Sequence, residues 1–409
     1  MIHQQHVLWL ASWYPSAIDE LQGDFIQRHA FAVSQLVSIE LWTFIEDKNG
    51  LITHDHTLRQ TQCGNLTENR VYYYTGNLPK GRIFNALRIF RMLNIAKQHL
   101  NKRYPNQVGL PRLVHTHIML NAGMLGHWFC QKHQVPHMLS EQWTAYLNEA
   151  RPNFRNLNPW SKWQWKRMVK HASVITAVSQ YLAKRLQELS NGKPIIRVPN
   201  VVDGSLFVPQ PVKNRSLVRF ITISADSFQK NMDGVLDAVK LVVDELGSQA
   251  SFELQIVHHP DALLKEKIER RCIGNWVKLL KPVTHIEIAS LIAQSDALLL
   301  YSRYETFGCV VIEALATGVP VIASNIPVLR ELVIHGKNGL LANVNDSAHL
   351  AKMLISFIKG AYRFESEHIR SEVLSSYSYK VVSKQFVEIY QSLSKVPIML
   401  RQVDKSNVN

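Results

Sequence analysis

The chain has 409 residues, 46% of them hydrophobic and 19% charged, with a formal net charge of +14. That composition is ordinary for a soluble globular protein, and the length exceeds one typical hydrophobic core, so two domains are expected. The surplus of cations calls for an anionic neighbour, for which nucleic acid, an anionic membrane surface and phosphate-rich substrates all qualify.

The opening stretch MIHQQHVLWLASWYPS has an apolar run of about six residues before Ser12, too short for a secretory h-region or for the roughly 18 residues of a membrane span. No later stretch reaches that length, and a cytoplasmic location is expected. Short apolar, β-branched runs then alternate with longer segments of helical period, the pattern of parallel α/β layers with helices on both faces. In the first half the strand-like runs are HVLWLAS, SIELWTF, RLVHTH, HMLSEQ and SVITAVS. Between them, residues 78–105 and 151–171 mix cations with Phe, Ile, Leu or Trp at near-helical spacing, as in helices that lie on a membrane surface. The alternative for each is a solvated helix whose apolar side packs on its own domain.

The segment IIRVPNVVDGSLFVPQPVKNRS holds Pro199, Gly204, Pro209 and Pro211 without helical period and marks the linker. Beyond it the strand-like runs are RFITIS, SFELQIV, WVKLLK, ALLLYS, VPVIAS and GLLAN. THIE, Thr284 to Glu287, reads as a capping box before a helix that feeds ALLLYS. Tyr379, Val382, Phe386 and Tyr390 give the tail an amphipathic helix in need of a partner surface. Cys63, Cys130, Cys272 and Cys309 show neither paired nor zinc-like spacing, which fits free thiols in a reducing compartment.

Chemistry concentrates in SRYETFGCVVIEALATGVPVIAS, residues 302–324. ALLLYSRYE is a strand running into Glu305, and TFGCVVIEALATG turns into a helix, so the stretch lies beyond a strand's carboxyl end, where parallel sheets bind ligands. With a helix from Phe307 onward, Glu305 stands just before its start and Glu313 inside its body. Gly308 lets the backbone approach a ligand, and the amides of Thr306, Phe307, Gly308, Cys309 and Val310 form a helix N-terminus that favours a phosphate. Glu313, between VVI and ALATG, reads as buried and in need of hydrogen-bond donors such as ribose hydroxyls. Glu305 is placed for the hydroxyls of a sugar beyond the diphosphate. All these contacts together fit a nucleotide sugar. No Asp-x-Asp occurs, so no carboxylate pair for a diphosphate-bridging metal is expected.

The stretch resembles the signature of glycosyltransferase family 4: a glutamate, seven residues, a second glutamate, then small residues, Gly and Pro-Val-Ile. Further segments resemble that family's bacterial surface-polysaccharide branch in the same order. SWYPSAIDELQGDFIQRHA is similar to its first strand-to-helix loop, with Gly23 where the backbone nears donor phosphate and reacting sugar. VHTHIMLNAGMLG is similar to its His-x-His strand end, SEQWTAY to its acidic strand end, and VPNVVDGSLF to its entry into the second domain. The resemblance implies a GT-B fold of two Rossmann-like domains. Residues 1–198 would bind the acceptor, 199–373 the nucleotide sugar, and a helix at 374–395 would return to the first domain.

It also implies retaining transfer, without a metal or other cofactor, from a UDP- or GDP-sugar donor. The acceptor would be a glycan or lipid-linked glycan in cell-surface polysaccharide synthesis, with the protein peripheral at the inner face of the membrane. By the same resemblance Lys230, beside Asn231 in SADSFQKNMDGV, neutralises the donor diphosphate. His117 contacts the transferring sugar, with His115 the weaker candidate. The chain departs from the pattern at Ala225, where the family often has arginine and for which Arg303 is a candidate substitute, and at Gln142, where relatives have a second histidine. Those departures leave a catalytically silent GT-B scaffold that binds nucleotide sugar or glycan as the alternative. A sugar epimerase of similar architecture would need a different acid and base set. Nucleic-acid binding is not expected, for want of a recognition helix, RRM or zinc signature. A dinucleotide oxidoreductase would need a GxGxxG turn where SWYPS stands.

Overall fold

The computed structural model describes residues 6–76, 79, 81–210, 217–223, 228–258 and 262–394. Its first sheet contains β1 (Val7–Ala11), β2 (Ile39–Glu46), β3 (His56–Cys63), β4 (Leu66–Tyr73), β5 (Val114–His117), β6 (His137–Glu141), β7 (Val174–Ala177) and β8 (Ile195–Arg197), in the order β3-β4-β2-β1-β5-β6-β7-β8. The second contains β9 (Val218–Ile223), β10 (Phe252–Val257), β11 (Val277–Leu280), β12 (Ala297–Leu300), β13 (Val321–Ser324) and β14 (Gly339–Ala342), ordered β11-β10-β9-β12-β13-β14. All pairings are parallel except that of β3 with β4. Central strands such as VLWLA and ALLL are buried at every residue, which is why they read as unbroken apolar runs.

Both sheets reverse their strand order once, between β1 and β5 in the first and between β9 and β12 in the second. Loops leaving adjacent strands diverge at such a point and open a crevice. The expected strand runs all appear, but β3, β4 and β8 have no counterpart in them. β3, HTLRQTQC, is a polar, largely exposed edge strand, and β8 has only 3 residues. β4 carries Glu68, Asn69 and Arg70 at its centre; the buried Glu68 accepts from the Tyr14 hydroxyl and pairs with Arg70 at 3.0 Å, a partnership no local pattern reveals.

Several contacts tie the two lobes together. The chain crosses to the second lobe past Val202, whose N–H donates to the Tyr377 carbonyl at 2.9 Å, and it returns beside that bond. Glu331 of the second lobe accepts the Gln180 and Tyr181 amides, both at 2.9 Å, at the N-terminus of helix Gln180–Leu189 in the first. After its return the chain forms helix Tyr379–Leu393. Val382, Phe386 and Tyr390 on that helix are buried in one cluster with Trp9, Ile26 and Val33 of the first lobe. The capping box at Thr284 and Glu287 is formed, ahead of helix His285–Ala293.

Under helix Tyr379–Leu393 His29 and His115 are buried, while His137, on the opposite face of the sheet, lies against Thr116 and Gly126. His115 Nδ1 meets the Tyr390 hydroxyl and Nε2 the Ser140 hydroxyl, each at 2.6 Å. Burial pushes His115 well below its ordinary range, His29 down to about 4, and His137, between β5 and β7, down to about 3. Unfolding returns each to about 6.5, so the unfolded chain binds more protons below that pH. Their contribution is fully present above about pH 6.5 and lost progressively as pH falls. Urea unfolding between pH 7.5 and 4.5 should therefore show stability declining by up to about 1.4 kcal/mol per pH unit for each such histidine. A flat profile over that interval would contradict this packing.

Candidate functional site

The crevice between β9 and β12 holds the first cluster. Lys230 lies in the turn before helix Met232–Leu246, and Glu305 in the loop after β12. The lysine Nζ donates to Glu305 Oε1 at 2.6 Å, the Ser302 hydroxyl to the same oxygen at 2.7 Å, and the Gln229 amide to Oε2 at 3.2 Å. A nearly buried carboxylate is thus held by a cation whose own side chain is a quarter exposed. Among the described residues, no group of three or more His, Cys, Asp or Glu side chains gathers as a metal would require.

Helix Cys309–Ala316 opens just beyond. Gly308 precedes it at φ 100°, outside right-handed helical geometry, so the helix starts at Cys309 rather than Phe307. A Cβ at Gly308 would stand 3.2 Å from Leu329 Cδ2. Thr306 and Val310 are half-buried around this turn, whereas Phe307 is buried and packs its ring on Tyr377. The Cys309 thiol receives the Asn200 amide at 3.2 Å and is pushed up to about 12 by burial, against the pull of Arg28.

Glu313, the fifth residue of this helix, is 5% exposed. Its Oε1 accepts from Arg28 Nη1 of the first lobe at 2.5 Å, with His285 Nε2 at 3.4 Å. Burial works to raise its pKa, but Arg28 and then His285 outweigh it and hold the carboxyl below the ordinary range. Arg28 also donates to Asp24 at 2.6 Å, and against the effect of burial these two carboxylates hold its guanidinium more firmly protonated than usual.

The first lobe presents its own crevice. Gly23, at φ 73°, caps helix Asp24–Ser34, which carries Arg28 one turn in. A Cβ there would lie 2.5 Å from the Trp13 carbonyl carbon, so the loop folds back on its own backbone as only glycine allows. At the end of β5, Ile118 is held at φ 64°, a strained conformation for a β-branched residue. The Ser12 hydroxyl donates to the Ile118 carbonyl at 2.8 Å, and the Met119 amide to Glu141 Oε1 at 2.6 Å. Burial pushes Glu141 up to about 7.

His117 does not face the cleft as expected. It is 0% exposed, with its ring centroid 4.1 Å from that of Trp9 and 3.9 Å from that of His115, which is itself covered by Phe386 and Tyr390 of the last helix. Among the described residues neither ring nitrogen of His117 has a hydrogen-bond partner. His115 shares its facing, as a two-residue spacing on a strand requires. Asn231 is buried at φ 52° and turns its amide over Gly234. Arg303 donates to Asn345 at 2.9 Å and to the Phe228 carbonyl at 2.6 Å. Gln142 is buried, and Ala225 lies outside the described residues. The structure therefore joins Lys230 to Glu305 and brings Glu313 against the Gly23 helix, while His117, Phe307 and Asn231 point into the interior. Arg28 and His285 join the site through contacts distant in sequence, and the one local signal for Arg28 is its i,i+4 spacing from Asp24.

Residues 51–206 match the family described as Glycosyltransferase Family 4, and residues 208–379 that described as Glycosyl transferases group 1. An uncharacterized glycosyltransferase of Methanocaldococcus jannaschii is 27% identical over 249 residues, which is 60% of this chain and 65% of the relative, just under two thirds of its length. Sucrose-phosphate synthase of Thermosynechococcus elongatus superposes with a TM-score of 0.72 at 16% identity, over 95% of this chain and 99% of that one. HepE of Anabaena, in complex with UDP and glucose, superposes with a TM-score of 0.68 at 18% identity, over 95% and 100%. The fold shared with these structures is the two-lobed GT-B architecture.

Gly23→Ala should destabilise the protein by about 1–3 kcal/mol through its clash and left-handed strain. Gly274→Ala, with nothing within 4 Å of the added carbon, should be nearly neutral. Chemical denaturation of the two variants checks this; equal stabilities would remove the argument that the loop depends on glycine.

Proposed function

We propose that this chain, a family 4-like glycosyltransferase of the GT-B fold, moves a sugar with retention from a UDP- or GDP-linked donor to a glycan or lipid-linked glycan acceptor. The observation that carries the reading is the β9–β12 crevice, where Lys230 and Glu305 meet at 2.6 Å before the helix that bears Glu313. A diphosphate leaving group gains negative charge as the glycosidic bond breaks. Lys230 and the amides at the start of helix Cys309–Ala316 would stabilise that charge without a metal ion. Glu305 would hold sugar hydroxyls and Glu313 ribose hydroxyls, with Gly23 allowing close approach from the other lobe. The leaving phosphate would help deprotonate the acceptor from the same face. For His117 to touch the sugar, the packing that encloses its ring has to yield.

Lys230→Ala and Glu313→Gln should each lower transfer about a hundredfold or more with the fold intact, because one removes charge stabilisation at the diphosphate and the other a donor contact. Initial rates with a panel of UDP- and GDP-sugars measure this, and transfer should persist in EDTA. Near wild-type rates in a folded variant would overturn the donor-site assignment.

For the acceptor, we propose a surface-polysaccharide intermediate at an anionic membrane. Among the described residues no helix is long and apolar enough to cross a membrane. Helix Pro159–His171 exposes about half of Trp160 and Trp163, and helix Arg82–Arg103 most of Ile83 and Phe90. A cavity of about 140 Å³ beside helix Pro159–His171 is lined by Ile89, Met124, Trp160 and Trp165 among others. The cations differ between the two helices. Arg88, Arg91 and Arg103 are paired with Glu46, Asp55 and Glu40, and beside the exposed tryptophans attraction to lipid is assigned to Lys162, Lys166 and Arg167, at roughly 1 kcal/mol each.

The protein should co-sediment with phosphatidylglycerol vesicles at low salt, release at high salt, and bind neutral vesicles poorly. Lys162→Glu, Lys166→Glu and Arg167→Glu together should weaken that binding without altering donor hydrolysis. Equal binding to neutral and anionic vesicles, or none to either, would refute the membrane reading.

A further inference from the structure

Burying a charged carboxylate in a helix requires a close partner. The partner of Glu313 stands 285 positions away in sequence and on the opposite lobe: Arg28, whose side chain is 10% exposed against 6% for the glutamate's. Arg28 is itself aimed by Asp24, and both belong to the helix that Gly23 starts. Arg28 and His285 both approach Oε1 of Glu313. Among the described residues no hydrogen bond reaches Oε2.

We infer that Arg28 is a positioning residue for the nucleotide: from the first lobe it fixes one oxygen of Glu313 so that the other accepts from the donor's ribose. The inference rests on the proposed donor site in the second lobe, and it makes that pocket a product of both lobes. The pair is a single buried unit, so a nucleotide that draws on Glu313 favours the arrangement in which Arg28 is seated. Without Arg28, burial of Glu313 is opposed mainly by His285, and the carboxyl takes up a proton more readily as pH falls. A protonated carboxyl offers an O–H where the ribose needs an acceptor.

The test compares UDP with 2′-deoxy-UDP, and GDP with 2′-deoxy-GDP, by calorimetric titration of the full chain. Wild type should prefer the ribonucleotide. Arg28→Gln should weaken ribonucleotide binding at least about tenfold at pH 7.5, more at pH 5.5, and erase the ribose preference. Arg28→Lys, which keeps the charge, should recover part of both, and it serves in place of the glutamine variant if that one does not fold. If Arg28→Gln keeps the ribose preference while Glu313→Gln loses it, the role assigned to Arg28 is wrong and the donor site stands. If both keep it, or wild type binds neither nucleotide, the donor site itself is wrong. Tighter binding by Arg28→Gln would also overturn the inference, because Arg28 would then block the pocket rather than complete it.

Discussion

A carboxylate in the body of a helix must have its charge answered, and for Glu313 the answer comes from across the cleft. Arg28 keeps Asp24 and Glu313 keeps His285 within their own lobes, so separating the lobes would cost the cross-lobe ion pair and the burial around it rather than leave either charge without a partner. The neighbouring apolar packing acts in the same direction. One continuous cluster includes Ile175 and Leu182 of the first lobe with Leu300 and Val311 of the second. Apolar contact and paired charge thus hold the two crevices to each other, and the cleft between them is bounded by residues from both.

The backbone is specialised at the same places. Gly23 follows β1, Ile118 follows β5, Asn231 follows β9 and Gly308 follows β12, and all four have positive φ. These are the strands at which the two sheets reverse order. Loops that must turn sharply off a strand and present amides or side chains to a crevice use left-handed residues there. At Ile118 and Asn231, where the residue is not glycine, surrounding hydrogen bonds or packing hold the turn.

Much of this was legible in the sequence. Buried parallel strands are short apolar runs, so β1, β2, β5 to β7 and β9 to β14 could be read from composition alone, and the tail helix from the spacing of Val382, Phe386 and Tyr390. The Glu305 and Glu313 spacing located the crevice because a strand end and a helix start leave local marks. What escaped depends on contacts far apart in the chain. Glu68 makes β4 look polar until Tyr14 and Arg70 are seen around it. Arg28 looks like a solvated helix cation, and the burial of His115 depends on Tyr390, 275 positions later. The helix starts two residues later than its apolar pattern suggests, because the left-handed Gly308 that permits a ligand's approach also stops a right-handed turn.

The returning helix Tyr379–Leu393 also bears on how the molecule is made. It completes the hydrophobic cluster of the first lobe, yet about 180 residues separate it from β8. At a synthesis rate of about 5–20 residues per second, Trp9, His115 and their neighbours wait roughly ten to forty seconds for their cover. During that interval the second lobe, whose strands and helices are contiguous in sequence, can finish folding. Synthesis thus delivers the later lobe complete while the earlier one still shows a greasy, histidine-lined face.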